Sequence, residues 1–450
     1  MSEQEKMQAT AKLRRSRRTQ KQNGAQPLPL PLPANDDKEG WEVYWKAQGQ
    51  PWRTEPEIDA ERRVFLAERR SIQADIEKGI YPFKEIELSR ADVEWLLATH
   101  ENGRGPVKWS DESQRVREGL DLRGTDLCQA KLSGLPLAYM RGGLIDEEWM
   151  IASKEQVHMA AVLLKEADLV GAQLQKAKLG DAQLQKADLR GVQLQEADLR
   201  GVQLQEADLG RTQLQKADLR GAQLQKAYLG RAQLRGADLR RADLEHATLD
   251  RVTLSDEQYG AARLADISWG NANLAVVDWG PVKELGDEQR ARRTKDVDDY
   301  REAVRANRQL AVALQSQGLN ENAAGFAYRA QKLQRVVLRR QRKFGQYLFF
   351  LFLDMIAGYG YRPVRSVLWY LAIIVGFAIA YYAFGHLSLF PPDAFVYSLT
   401  SFHGRGFFPG LENRHSLHDP LVMLAAIEAV VGLFIEISFI ATFTQRFFGK

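Results

Sequence analysis

The residues best placed to do chemistry are two carboxylates in a setting with no obvious water. Glu428 and Glu436 interrupt the apolar run Leu421–Thr444. An acid inside such a run is costly, so each implies an ion-pairing or conducting role. Eight residues of helical rise place Glu428 about 12 Å into the run, and Glu436 lies about 12 Å deeper. A second, weaker cluster is His415, His418 and Asp419, where His-x-x-His on a loop can hold a metal or sense protons. No nucleophile–base pair, thiolate metal spacing or Walker motif occurs, so we expect neither an enzyme nor a resident metal or cofactor.

The stretch that carries both acids is one of two long apolar runs. Val367–Phe384 and Leu421–Thr444 are long enough to cross a bilayer, giving spans at about 366–385 and 420–444 in a domain covering 346–450. Leu348–Met355 is too short and holds Asp354, so it reads as an interfacial or packing helix. Arg362, Arg365, Arg446 and Lys450 flank the spans, whereas the connecting loop has only Arg405 and Arg414. By the positive-inside rule both termini are cytoplasmic in a multi-pass cell-membrane protein. Before the spans, 281–345 reads as a helical hairpin linker, with one helix ending at Gly318 and Asn320 capping the next. Arg329, Lys332, Arg335, Arg339 and Lys343 recur at helical spacing there. That face either grips anionic membrane lipids or is a solvated charged face.

The loop carries a resemblance. Ala394-Phe395-Val396-Tyr397-Ser398-Leu399-Thr400-Ser401-Phe402 is similar to the pore helix of two-transmembrane potassium-channel subunits, and Ile427–Phe434 is similar to their inner helix. The resemblance implies a re-entrant loop at about 391–410, a homotetramer, and a pore or filter at Ser398, Gly404, Arg405, Gly406 and Phe407. It also marks a departure. A potassium filter stacks rings of backbone carbonyls around the ion. Here the filter's last glycine is replaced by Phe408, and four copies of Arg405 would crowd the axis. Such a positive ring repels cations, so transport is expected not to be potassium-selective. At re-entrant depth Arg405 can pair with Glu428.

Upstream, leucine returns at every fifth position from Leu169 to Leu254, with Ala, Val or Thr always two residues before it. A period of five suits neither an amphipathic helix nor an alternating strand and signals a solenoid. The pattern resembles the pentapeptide-repeat family, which implies a right-handed quadrilateral β-helix with Leu169, Leu189, Leu209, Leu229 and Leu249 in its core. The repeat domain is set at 119–280. Leu264, Trp269, Leu274 and Trp279 keep the phase past a defect near Tyr259, while Leu122, Leu127, Leu132 and Leu137 hold a different phase. A looped-out helix at about 140–161 is expected to absorb that shift. Some family members are DNA mimics that inhibit topoisomerases. Between Ala167 and Asp256, however, fourteen lysines and arginines meet thirteen aspartates and glutamates, a net of +1. Such a surface neither imitates nor binds a phosphate backbone, so no nucleic-acid partner is expected.

The remainder is less informative. Residues 1–38 read as a disordered arm, basic at Arg14, Arg15, Arg17 and Arg18 and proline-rich from Pro27 to Pro33. Residues 39–118 hold five of the nine tryptophans and read as a helical cap on the solenoid, with a capping box at Ser89–Asp92. The lone Cys128 permits no intrachain disulfide, and the net charge of +4 is uninformative about partners. The expected fold is a mainly β solenoid with a helical N-terminal cap, a helical hairpin and a two-helix transmembrane pore-like domain. The expected function is channel-like, with the solenoid as an interaction or sensing module for an unknown protein. The rivals are a non-conducting membrane scaffold and, less favoured, a topoisomerase-inhibiting DNA mimic.

Overall fold

A computed structural model describes residues 31–360, 363–384, 391–404 and 420–447. The basic residues of the arm, Arg362, Arg405, Gly406, Phe407, Phe408, Arg414, His415, His418, Asp419 and Lys450 lie outside the described residues.

The solenoid follows from its five-residue grammar. Leu169, Leu189, Leu209, Leu229 and Leu249 are all buried, as are the small residues two places earlier. Residues twenty apart stack, as in the bridges Asp168↔Asp188↔Asp208 and Gln173↔Gln193↔Gln213. From Leu164 to Leu244 each repeat leucine N–H donates to the next coil, Leu189 to Asp208 O at 2.7 Å for example. Two residues after each leucine the chain turns through positive φ, at Lys176, Lys186, Gly191 and Gly201 among others. The N–H there also bonds the next coil, as from Lys176 to Gln195 O at 3.0 Å, which offsets the left-handed strain of non-glycine residues. The β content consists of isolated bridges, not long strands; the two-residue strands are β1 (Ser255–Asp256) and β2 (Gly260–Ala261). With helices on both flanks, the chain is more helical than a mainly β description allows.

Two interruptions behave differently because of their lengths. Asp126↔Leu163 and Arg141↔Lys178 pair across thirty-seven residues instead of twenty. The excess is no multiple of five, so the leucine phase shifts. Two short helices, Asp146–Ile151 and Lys154–Ala160, take up the extra chain. Downstream, Asp238↔Arg263 and Asp243↔Ser268 are twenty-five apart. One extra pentapeptide, folded as the β1–β2 hairpin, leaves Leu264 and Trp269 in phase and buried.

Both open ends are covered. Helices α1 (Lys38–Ala47), α2 (Ala60–Arg70) and α3 (Arg90–Ala98) precede the solenoid; we number the two insertion helices α4 and α5. Ser89 and Asp92 form a reciprocal capping box at the start of α3. Leu66, Phe83, Leu88 and Leu96 continue the solenoid core beyond Leu122 and Leu127. At the other end follow α6 (Gly286–Thr294), α7 (Val297–Ser316) and α8 (Asn320–Arg340). Leu310, Leu314 and Phe326 join the same core as Leu274 and Trp279. Their polar neighbours satisfy the exposed solenoid edge: Leu264 N–H donates to Asp287 at 2.7 Å, Asp266 N–H to Gln309 at 2.8 Å and Leu274 N–H to Gln317 at 2.8 Å. The α7–α8 hairpin is therefore a cap as well as a connection, because an unpaired solenoid edge must be satisfied. Asn320 is the first residue of α8 and not its cap; the preceding Leu319 makes no side-chain cap.

Four helices complete the chain: α9 (Phe344–Ala357), α10 (Pro363–Phe384), α11 (Pro391–Phe402) and α12 (Pro420–Phe447). Proline opens three of them, a position where its missing N–H costs nothing. Helices α10, α11 and α12 pack on one another around Ile374, Phe402 and Ile435 and around Tyr381, Ala394 and Tyr397. Gly432 makes the tightest approach, since a Cβ there would meet Phe402 O at 2.2 Å. Among the described residues one helix, Val364–Phe384, is long and apolar enough to cross a bilayer, and little of it is buried.

Candidate functional site

The solenoid presents ordered columns. Glutamines on successive coils bond each other, Gln175 to Gln193, Gln195 to Gln213 and Gln215 to Gln233, at 2.6–2.7 Å. On another side Asp198, Asp218 and Asp238 stack and each binds the arginine two residues on, and in a separate column Asp188 binds Arg190 in the same way. The hydrogen bond from Arg190 holds Asp188 below the usual carboxylate range. The column of Asp198, Asp218 and Asp238 cancels its own charge through Arg200, Arg220 and Arg240, leaving a regular polar wall. Cys128, in an earlier coil, is half-buried.

Burial pushes Asp287, under the C-terminal cap, up to about 6. One of its oxygens holds the Leu264 N–H, while the other makes no hydrogen bond and lies 3.7 Å from Arg263.

In the C-terminal bundle Glu428 is fully buried on α12. Tyr381 of α10 donates to one of its oxygens at 2.6 Å, and Ser398 of α11 contacts the other at 2.5 Å. Ser398 Oγ also lies 2.9 Å from Ile374 O. Three helices therefore meet at one carboxylate. The expected partner, Arg405, lies outside the described residues, and hydroxyls occupy the carboxylate instead. Glu436 is half-exposed and lies 3.4 Å from His403, which follows α11. Gly404 comes next with φ +67°, a left-handed turn that glycine accommodates.

The expected basic face on α8 does not stay whole. Arg329 turns to the solenoid end, donating to Val282 O at 3.2 Å and to Lys283 O, and its guanidinium stacks over Phe326. Arg335 binds Asp354 of α9 at 2.8 Å. Lys332 lies over the Tyr328 ring. Arg339 and Lys343 remain exposed. The correction has a physical reason: α8 is wedged between the solenoid cap and α9, so residues on adjoining turns meet different neighbours.

Asp354 is the residue whose role the sequence concealed. Tyr328 donates to it at 3.0 Å, and Arg365 of α10 lies 3.6 Å away while donating to its backbone carbonyl at 3.1 Å. Trp369 and Ser366 cap the next two carbonyls of α9, at Met355 and Ile356. A lone acid in an apolar run was the available signal, but its partners are 11 to 26 residues away along the chain.

Comparison with known proteins bears on the solenoid. Residues 156–256 match the family model for pentapeptide repeats in overlapping segments, eight copies in all. That stretch is a pentapeptide-repeat segment. No curated protein matches the chain. Among solved structures it is similar to HetL, a pentapeptide repeat protein involved in heterocyst differentiation regulation from the cyanobacterium Nostoc sp. strain PCC 7120, at 23% identity over 43% of this chain and 84% of that one, with a TM-score of 0.24. It is similar to Rfr23 of the cyanobacterium Cyanothece 51142 at 26% identity, over 33% and 90% of the two chains, with a TM-score of 0.16. Full-length QnrB1, a plasmid-mediated fluoroquinolone resistance protein, aligns at 18% identity over 36% and 76%, with a TM-score of 0.19.

Proposed function

We propose that this chain is a membrane-embedded, channel-like protein whose pentapeptide solenoid is a cytoplasmic protein-interaction or sensing module. One observation carries the membrane reading: the polarity of the α10–α12 bundle is inside out. Leu368, Leu371, Ile379, Val430, Phe434 and Ile437 face outward, while Glu428, Ser398 and Tyr381 gather inside. A water-soluble bundle buries the first set and exposes the second. The succession of apolar helix, short helix and apolar helix supports two spans with a re-entrant element, and by resemblance four copies around an axis.

In this reading α8 links the two halves. Phe326 packs edge-on against Trp279 at the solenoid end, and Arg335 on the same helix grips Asp354. Partner binding on the solenoid would bias the bundle through that helix. Ion transport would not be potassium-selective, given Arg405 in the filter position. The test is ion flux from liposomes reconstituted with the full chain, with Arg405→Ala as the comparison. Flux that changes its ion preference in the variant supports a pore.

A second reading, a non-conducting membrane-anchored scaffold, is favoured by one detail. Glu428 is engaged by Tyr381 and Ser398 and so serves packing rather than a pathway. Absence of flux from properly inserted protein selects it. The DNA-mimic reading stays disfavoured by the charge balance of the solenoid.

A further inference from the structure

Helix α9 is 14 residues long, about 21 Å at the helical rise, and so falls short of a bilayer core. Its two sides differ sharply. One packs inward, with Ile356 buried, Phe350 against the Tyr359 ring and Asp354 held by α8 and α10. The other exposes Phe344, Leu348, Phe349, Phe352 and Met355, a stripe at helical spacing that nothing among the described residues covers.

The approach to this helix is basic. Arg342 takes a left-handed conformation, φ +58°, which breaks α8 from α9. Arg339, Arg342 and Lys343 flank that turn between α8 and α9, all exposed. Among the described residues none of the three has an ion pair, in contrast to Arg335 and Arg365 nearby. An apolar stripe beside a cationic cluster is the pattern of a helix lying in a membrane interface, with acyl chains under the stripe and anionic headgroups at the cations.

We propose that α9, with Arg339, Arg342 and Lys343, forms an in-plane binding site for anionic lipid. It is separate from the spanning helices and locked to them through Asp354. The proposal rests on the membrane reading above. Charge complementarity selects an anionic headgroup, and the length of α9 selects the interface over the bilayer core. Because the same helix is pinned by Arg335, lipid occupancy would bear directly on the strut leading to the solenoid.

The experiment uses the full chain in bilayers of phosphatidylcholine with phosphatidylglycerol. Cys128 is the sole cysteine, so Cys128→Ser allows single nitroxide labels at Phe349→Cys (with Leu348→Cys as a repeat) and at Leu371→Cys on α10. The expected result is that labels on both helices meet oxygen more readily than a water-soluble nickel chelate. In native mass spectra the wild type should retain phosphatidylglycerol over phosphatidylcholine. Arg339→Gln, Arg342→Gln and Lys343→Gln together should reduce that preference by on the order of a hundredfold. A chelate-accessible label on α9 with a protected label at position 371 overturns this proposal and leaves the membrane reading standing. Accessible labels on both helices overturn both. Spin–spin broadening at position 349 identifies a second copy as the occupant and overturns it too. So does an unchanged lipid preference in the triple variant.

Discussion

Arg335 Nη1 lies 2.8 Å from Asp354 Oδ2, and this contact joins the helix that closes the solenoid to the helices that follow it. Both side chains are largely shielded, so the pair is worth more than an exposed one. Arg365 and Tyr328 complete the site, which makes Asp354 an acceptor shared by α8 and α10.

Removing that charge should loosen the junction and little else. Asp354→Asn is expected to cost about 1–3 kcal/mol, through hydrogen bonds to a charged acceptor weakened without leaving a cavity. Hydrogen exchange should rise across 344–357 while residues 167–256 keep their protection. Equal loosening of both regions would show that the junction is not a separable joint.

Asp287 gives a pH dependence of defined sign. Its folded value, about 6, stands above that of a free aspartate. Its contribution to stability is therefore fully present below pH ~4 and is lost as pH rises through about 6. Asp287→Asn keeps an acceptor for the Leu264 N–H and removes the buried charge. The variant should gain on the order of 1–3 kcal/mol over wild type at pH 7.5, with the gap closing toward pH 4. Thermal melts across that range check it, and a pH-independent gap would contradict the assignment.

Two glycines of the solenoid provide an internal control. Gly221 and Gly236 share a left-handed conformation, with φ of +69° and +68°. A Cβ at Gly221 meets nothing, whereas at Gly236 it meets the Tyr259 carbonyl at 2.5 Å. Gly221→Ala should cost about 1 kcal/mol, and Gly236→Ala about 1–3 kcal/mol more as the β1–β2 hairpin shifts. Matched melting temperatures for the two variants would contradict this.

The Glu428 cluster should distinguish shape from hydrogen bonding. Gln at this position can still accept one hydroxyl and donate to Ser398, which then donates to Ile374 O. Leu leaves Tyr381 facing a hydrocarbon, while Ser398 keeps Ile374 O as its acceptor. Glu428→Gln should hold the bundle near wild-type stability, while Glu428→Leu should lose about 1–3 kcal/mol through the orphaned Tyr381 hydroxyl. Detergent-resistance assays of the two variants decide the point.

How much of this was readable beforehand depends on the range of each interaction. The solenoid core was open to inspection because Leu169 through Leu254 repeat one local rule on every side of the coil. The phase shift before Leu164 likewise announced an insertion. The C-terminal cap was not readable, because Gln309 and Gln317 reach edge N–H groups 43 residues back and look like ordinary surface glutamines. Tyr381 and Glu428 are 47 residues apart, with α11 between them, so spacing alone could not pair them. The divided fate of Arg329 and Arg335 reflects neighbours that only packing supplies.

The most direct measurement is the native mass of the full-length chain in mild detergent. One chain is 51.0 kDa. A channel-like assembly predicts a species about four times that mass, apart from bound lipid, that persists after crosslinking. A clean monomer would remove the axis around which four loops must meet and would contradict the pore, leaving a membrane-tethered pentapeptide scaffold.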